Sequence, residues 1–284
     1  MTRIAALQFK ARKGQPEQSI AALCSLIEQA AVAGAQIVVC PEMATSGYLF
    51  SDAAAILPCC EPAIGGSFPT LSALARRHSL YLVCGYPERV DGSEDSSSVS
   101  GTGSPRAAAG LYNSARVIGP DGSLLYNYRK RLLFSADTTW AQAGDTPYPV
   151  LDTPHGRLSV GICMDLNDDR FVDFLRAQTA TQPLIVAFCT NWLDEGSDVL
   201  PYWCYRLRGV RGIFVAANSF GPESEPSHPA TSFCGRSTIL SIDVDAAAQR
   251  KPDDSSDADW TAGLSITVFA RAKRTGAAVL LADV

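Results

Sequence analysis

Three short segments of this chain end an apolar run on an ionisable side chain. IVVCPEMATSGY, residues 37–48, gives way to Glu42. YNYRKRLLF, residues 126–134, carries Lys130 after a turn-forming GPDG at 119–122. SVGICMDLN, residues 159–167, delivers Cys163. Groups at strand ends of α/β folds are placed to meet ligands. The three types also complement one another. A thiol with an ordinary pKa of about 8.5 is a poor nucleophile at neutral pH until something removes its proton. A partly desolvated glutamate is suited to that task, because burial raises its pKa toward neutrality. A lysine keeps the carboxylate ionised at rest and then stabilises a developing oxyanion. Cysteine, glutamate and lysine thus form a nucleophile, base and electrophile set without histidine. Taken singly, each has a plainer reading: a packed small hydrophobe, a helix-start carboxylate, and a solvated charge beside Arg129 and Arg131.

The elements that must hold these groups read as short strands separated by helical patterns. Strand-like runs occur at 3–8, 36–40, 81–86, 112–118, 157–163, 184–188, 213–218, 237–242 and 264–270. Between some of them apolar residues recur at helical spacing. Ile20, Leu23, Ile27 and Ala31 share one face before Gly34, and SFPTLSALARRHSL and DDRFVDFLRAQTA behave alike. This alternation predicts an α/β protein whose strands are buried on both faces. The Ser- and Gly-rich stretch at 91–110 reads as a flexible loop between two strands, and residues 1–284 as one domain without internal repeats.

Composition narrows the partners. The chain has 284 residues, 46% hydrophobic and 19% charged, and a net charge of −5. A core of ordinary size follows, and no basic footprint exists for nucleic acid or an anionic membrane surface. The expected partner is a peptide or small amide substrate. Nine cysteines, an odd number scattered through apolar runs with no C-x-x-C pair, do not form a disulfide framework. With three histidines, none near a cysteine in sequence, they do not suggest a zinc site either. No metal or cofactor is expected. The start MTRIAALQFKARKG lacks a signal-peptide core and no run reaches membrane-spanning length, so a cytoplasmic location is the expectation.

The motifs CPEMATSGY, YRKRLLF and GICMDLN, in that order and each in a strand-end context, resemble those of the nitrilase superfamily of carbon–nitrogen hydrolases over nearly the whole chain. The resemblance implies a four-layer α-β-β-α sandwich with Glu42 as base, Lys130 as electrophilic helper and Cys163 as nucleophile, and it implies pairing into a homodimer. GICMDLN, YNSARVIGPDGSLLYNYRKRLLF, TTWAQAGD and FCGRSTIL look most like the fungal protein N-terminal amidases, which convert N-terminal Asn or Gln to Asp or Glu in the N-degron route. Such a substrate calls for an acidic group near its α-ammonium, and Asp52, Asp165 and Asp168 are the candidates. Two features depart from the family pattern. A second glutamate is usual about two helical turns after the lysine, and here Thr138 stands at that position with Asp137 beside it. Arg206, Arg208 and Arg211 precede the AAN strand where many relatives carry an acid.

The expected reaction is amide hydrolysis through a thioester, with the oxyanion held by Lys130 and the Met164 N–H. Asn191 and Trp192, which follow the strand after the nucleophile strand, and Tyr48, which ends the first motif, are candidates for lining the pocket. Two rivals stand beside the N-terminal amidase. One is an amidase or carbamoylase for a free small molecule, favoured if the pocket leaves no exit for a peptide. The other is a silent binding subunit, motivated by Thr138.

Overall fold

Continuous apolar runs need partners on both faces, and two packed sheets flanked by helices supply them. The computed structural model describes residues 1–91, 110–244 and 263–284. All but the two ends of the 91–110 stretch lies outside these residues.

The first sheet contains β1 (Arg3–Gln8), β2 (Ile37–Val39), β3 (Tyr81–Val90), β4 (Gly110–Ile118) and β5 (Leu124–Arg129). The second contains β6 (Leu151–Thr153), β7 (Gly156–Ile162), β8 (Leu184–Thr190) and β9 (Gly212–Asn218). A separate hairpin follows, β10 (Phe220–Glu223) and β11 (Thr231–Cys234). Strands β12 (Thr238–Val244) and β13 (Leu264–Arg271) complete the second sheet, and β14 (Ala278–Asp283) returns to the first. The strand orders are β14-β1-β2-β3-β4-β5 and β13-β12-β9-β8-β7-β6. In each sheet three central strands are parallel and the outer ones antiparallel. Among the described residues the α-helices are α1 (Pro16–Val32), α2 (Ala53–Ile56), α3 (Phe68–His78), α4 (Asp169–Thr179) and α5 (Leu200–Arg206).

The period-2 geometry of the strands sorts their side chains into layers. On β1, Ile4 and Ala6 enter the core between the sheets, with Ile162, Ala187 and Val215 from the second sheet. Ala5 and Leu7 face the other way, onto Leu23 and Ile27 of α1 and Leu71 and Ala75 of α3. On β8, Ile185, Ala187 and Cys189 point inward. Leu184, Val186 and Phe188 meet Phe171 and Leu175 of α4 and Trp203 of α5. Fully burying one such Leu or Ile contributes about 1.5–3 kcal/mol. The result is the expected α-β-β-α sandwich.

All nine strand-like runs are strands. The structure adds β5, β6, β10, β11 and β14. One boundary differs in a way that matters: β7 ends at Ile162, and Cys163 opens a 3-10 turn over Cys163–Asn167 instead of ending the strand.

Candidate active site

The loops after β2, β5, β7 and β8 converge at one end of the sandwich, and each brings one functional group. The turn at Cys163 exists because the Asp165 carboxylate reaches back to the Ile162 N–H at 3.0 Å. It leaves Cys163 in the left-handed region, with φ +43. Met43, beside Glu42, is also left-handed at φ +51. Non-glycine residues held this way cost about 1–3 kcal/mol, and such strain collects at functional sites. Arg206 braces the same turn by donating from Nε to the Leu166 carbonyl at 2.8 Å.

Glu42 is set by a close approach of two backbones. Gly85 of β3 lies under it, and a Cβ there would sit 2.6 Å from the Glu42 Cα and the Pro41 carbonyl oxygen. Only glycine lets the 41–44 segment dock, with the Ala44 N–H donating to the Gly85 carbonyl at 2.9 Å. The neighbouring 48–50 segment is pinned by the buried Glu223 of β10, whose Oε1 accepts from the Tyr48 N–H at 2.8 Å and the Leu49 N–H at 2.6 Å.

Around Lys130 the side chains form a fully buried charge cluster. Its Nζ donates to Glu42 Oε1 at 2.7 Å and to Asp137 Oδ2 at 2.6 Å. Asn113 of β4 bridges the same two acids, donating from Nδ2 to Glu42 Oε1 at 2.7 Å and to Asp137 Oδ1 at 3.1 Å. The other Glu42 oxygen accepts the Asn191 N–H at 2.9 Å, and Asn191 Nδ2 donates to the Glu42 carbonyl at 3.0 Å. Asp137 Oδ2 also accepts the Phe134 N–H at 2.9 Å. Thr138, one residue on, is exposed, and its side chain donates to the Ser135 carbonyl. Of the two candidates for supporting Lys130, Asp137 is therefore the one in contact, and Thr138 is corrected to a surface residue.

Burial sets the protonation states. It pushes the Glu42 carboxyl up, with Lys130 opposing and Asp137 adding to the rise. Burial alone would pull the Lys130 ammonium down, but Asp137 and Glu42 overcome it and hold the group charged. The Cys163 thiol is pushed well above its ordinary value by burial and then by Glu42, while Lys130, Thr190 and Asn191 pull the other way. The resting site is a neutral thiol beside a carboxylate that is more basic than usual, arranged for proton transfer to the carboxylate. Burial, followed by Asp137 and Glu42, also keeps the Tyr48 phenol protonated. Its Oη is buried without a well-formed hydrogen bond among the described residues, and its ring lies 5.8 Å from the Lys130 Nζ.

Cys163 opens onto a cavity of about 680 Å3, within the usual range for small-molecule sites. Tyr48, Met164, Asn191 and Trp192, all expected at the site, line it. So do Asn167, Tyr202, Glu195 and Asp198. No lysine or arginine lines it among the described residues. The three acids expected to meet an α-ammonium lie elsewhere. Asp165 is fully buried and committed, accepting from Tyr128 Oη, Ile162 N, Arg131 N and Leu132 N at 2.8–3.1 Å. It ties the lysine loop to the cysteine turn and is corrected from substrate contact to scaffold. Asp168 caps α4 and is held by Arg170, and Asp52 caps α2 at the surface. Asn113, Glu223 and Glu195 were not singled out in the sequence. The partners of Asn113 and Glu223 lie far away along the chain, and no local pattern marks any of the three.

Comparisons with known proteins agree with this geometry. Residues 3–267 match the family model described as carbon-nitrogen hydrolase. Omega-amidase NIT2 of Bos taurus is 32% identical over 256 residues, covering 84% of this chain and 80% of that protein. The protein N-terminal amidase of Schizosaccharomyces pombe is 26% identical over 278 residues, covering 83% and 90%. Among solved structures, an N-terminal amidase superposes with a TM-score of 0.73 at 16% identity, covering 100% of this chain and 97% of the other, and it has also been solved with an Asn-Glu-Ala peptide. An amidase from Nesterenkonia sp. AN1, in a mutant form bearing acrylamide on its active-site cysteine, gives 0.69 at 21% identity, covering 100% and 93%. At such identities these structures speak to the fold, which is the same sandwich. A family match that runs through all three strand-end segments, together with a buried acid–lysine–acid cluster beside a cavity-facing cysteine, places this chain in the carbon–nitrogen hydrolase family, as an amidase of the nitrilase superfamily.

Proposed function

We propose that this amidase removes the side-chain amide nitrogen of an unblocked N-terminal Asn or Gln, with Cys163 as nucleophile, Glu42 as base and Lys130 as electrophile. The observation that carries the substrate class is the charge of the cavity. Its ionisable wall residues, apart from the nucleophile and the tyrosines, are the acids Glu195 and Asp198, and because Arg271 and Arg236 pair with Asp198 from outside the wall, Glu195 carries the uncompensated charge. A free amino acid, a carbamoyl amino acid or a related small amide brings a carboxylate, which such a wall repels. The first residue of a peptide brings an ammonium, and its carboxyl is already spent in the peptide bond.

The chemistry follows from the protonation states. As the thiolate forms and attacks the carboxamide carbon, the thiol proton passes to Glu42. Negative charge gathers on the amide oxygen, where Lys130 and the Met164 N–H stabilise it and the protonated Tyr48 stands ready to donate. Collapse of the tetrahedral species breaks the C–N bond, and Glu42 returns its proton to the departing ammonia. This leaves a thioester on Cys163. Water, deprotonated by Glu42, then attacks the thioester, and the thiol is re-formed as the Asp or Glu product leaves. Asp137 and Asn113 hold Lys130 and Glu42 in register throughout. With Asp137 against Lys130, the reading as a silent subunit loses the observation that motivated it.

The small-molecule reading keeps one observation in its favour, the higher identity to omega-amidase NIT2 than to the N-terminal amidase. Mass spectrometry of Asn- and Gln-initiated peptides after incubation separates the two. The proposal expects the amide-to-acid mass change at the first residue only, and none with Cys163→Ala. Unchanged peptides, with turnover of free amides, would contradict it.

A further inference from the structure

The main cavity borders a second one. This second cavity, of about 210 Å3, shares Phe134, Leu193 and Glu195 with the first, and is further lined by His228, by Ala230 just before β11, and by Thr231 and Ser232 at the start of that strand. Glu195 therefore stands at the junction of the two. It differs from the other acids of its loop. Asp194 is held by Arg274 at 2.6 Å, and Asp198 by Arg271 at 2.8 Å and Arg236 at 3.2 Å. Glu195 makes no hydrogen bond or ion pair among the described residues, and it is exposed to the cavities it borders. Neither cavity has a lysine or arginine in its wall among the described residues.

Resting on the N-terminal amidase reading, we infer that Glu195 is the counter-ion for the substrate α-ammonium and that the second cavity receives the residue that follows. The α-nitrogen and the second residue both branch from the same Cα, so they must part close to each other, and the junction is where the wall offers a charge on one side and space on the other. An uncommitted carboxylate there gains a charge-assisted hydrogen bond without first breaking an ion pair. The smaller volume, below the usual range for a whole ligand, suits one further residue rather than a second substrate.

Two variants test the two halves against three probes: an unblocked Asn-initiated tetrapeptide, asparagine N-methylamide and butyramide. Glu195→Gln is expected to lower the ratio of kcat/KM for asparagine N-methylamide to that for butyramide by roughly 10- to 100-fold, the worth of a hydrogen bond between charged groups. Ala230→Trp, which fills the second cavity, is expected to lower the ratio for tetrapeptide over asparagine N-methylamide by about tenfold or more. Butyramide turnover reports that each variant is folded. Unchanged ratios in a wild-type background that processes the tetrapeptide would overturn the inference and leave the proposed function standing. A wild-type enzyme that hydrolyses butyramide but neither α-ammonium substrate would overturn both.

Discussion

Cys163 sits in a left-handed conformation as a neutral thiol, next to a carboxylate whose pKa is raised by burial. This pairing fixes how activity must respond to pH. In the proposed mechanism the free enzyme works when Glu42 is ionised, so kcat/KM for an uncharged amide should rise through a midpoint above the ordinary glutamate value of 4.5. It should then hold level into mildly alkaline solution, because Lys130 and Cys163 keep their protons there. The stability linkage runs the opposite way. The Glu42 folded pKa exceeds its unfolded value, so its favourable contribution is present at low pH and is lost as pH rises through the folded pKa. Glu42→Gln removes the base from both half-reactions and should cost at least about 10²–10⁴ in kcat, measured by steady-state ammonia release. Asp137 answers a different question. Asp137→Ala strips the buried Lys130 ammonium, the Asn113 amide and the Phe134 N–H of an acceptor, and should lose about 1–3 kcal/mol or more in urea unfolding. Asp137→Asn, which retains a polar contact to Lys130, should lose less.

At the scale of elements, the site depends on how closely two backbones approach. Gly85→Ala places a methyl group against the Glu42 backbone. It should destabilise by about 1–3 kcal/mol, as overpacking does, and lower kcat by displacing the base. A variant with wild-type melting and kcat would show that the 41–44 segment is not held by this contact. The three motif segments and the strands that carry them were legible because each is local: an apolar run, then a reactive residue. What the sequence did not disclose is long-range. Asn113 lies 71 positions from Glu42, and Glu223 175 positions from Tyr48. Asp165 was misread for a related reason. Its position beside the nucleophile suggests substrate contact, whereas its oxygens are consumed by Tyr128 of β5, the Arg131 and Leu132 N–H groups just after that strand, and the Ile162 N–H at the end of β7. Strand β10 and helix α5 escape the sequence because Gly, Pro and aromatic residues blur their period. Thr138 and Asp137 could not be told apart by spacing, since a one-residue step in a short turn decides which side chain reaches Lys130.

At the scale of the whole molecule, four layers bury the sheets on both faces and leave the strand-end loops free to build a pocket. Among the described residues no helix is long and apolar enough to cross a membrane. Under the proposed function, the charge of the pocket selects the substrate. A peptide α-amino group has an ordinary pKa of about 7.7–8.0. Turnover of unblocked peptides should therefore fall as pH rises through that range, and turnover of butyramide should not. An identical alkaline profile for both would show that the ammonium is not recognised.

Selection of an α-ammonium substrate is best probed by ammonia release from the wild-type enzyme at neutral pH. The comparison is between Asn- and Gln-initiated peptides, the same peptides N-acetylated, and free asparagine and glutamine. An N-terminal amidase should release ammonia from the unblocked peptides, with acetylated peptides and free amino acids far slower. Release from free amino acids or acetylated peptides at rates equal to or above those of the unblocked peptides would contradict that function.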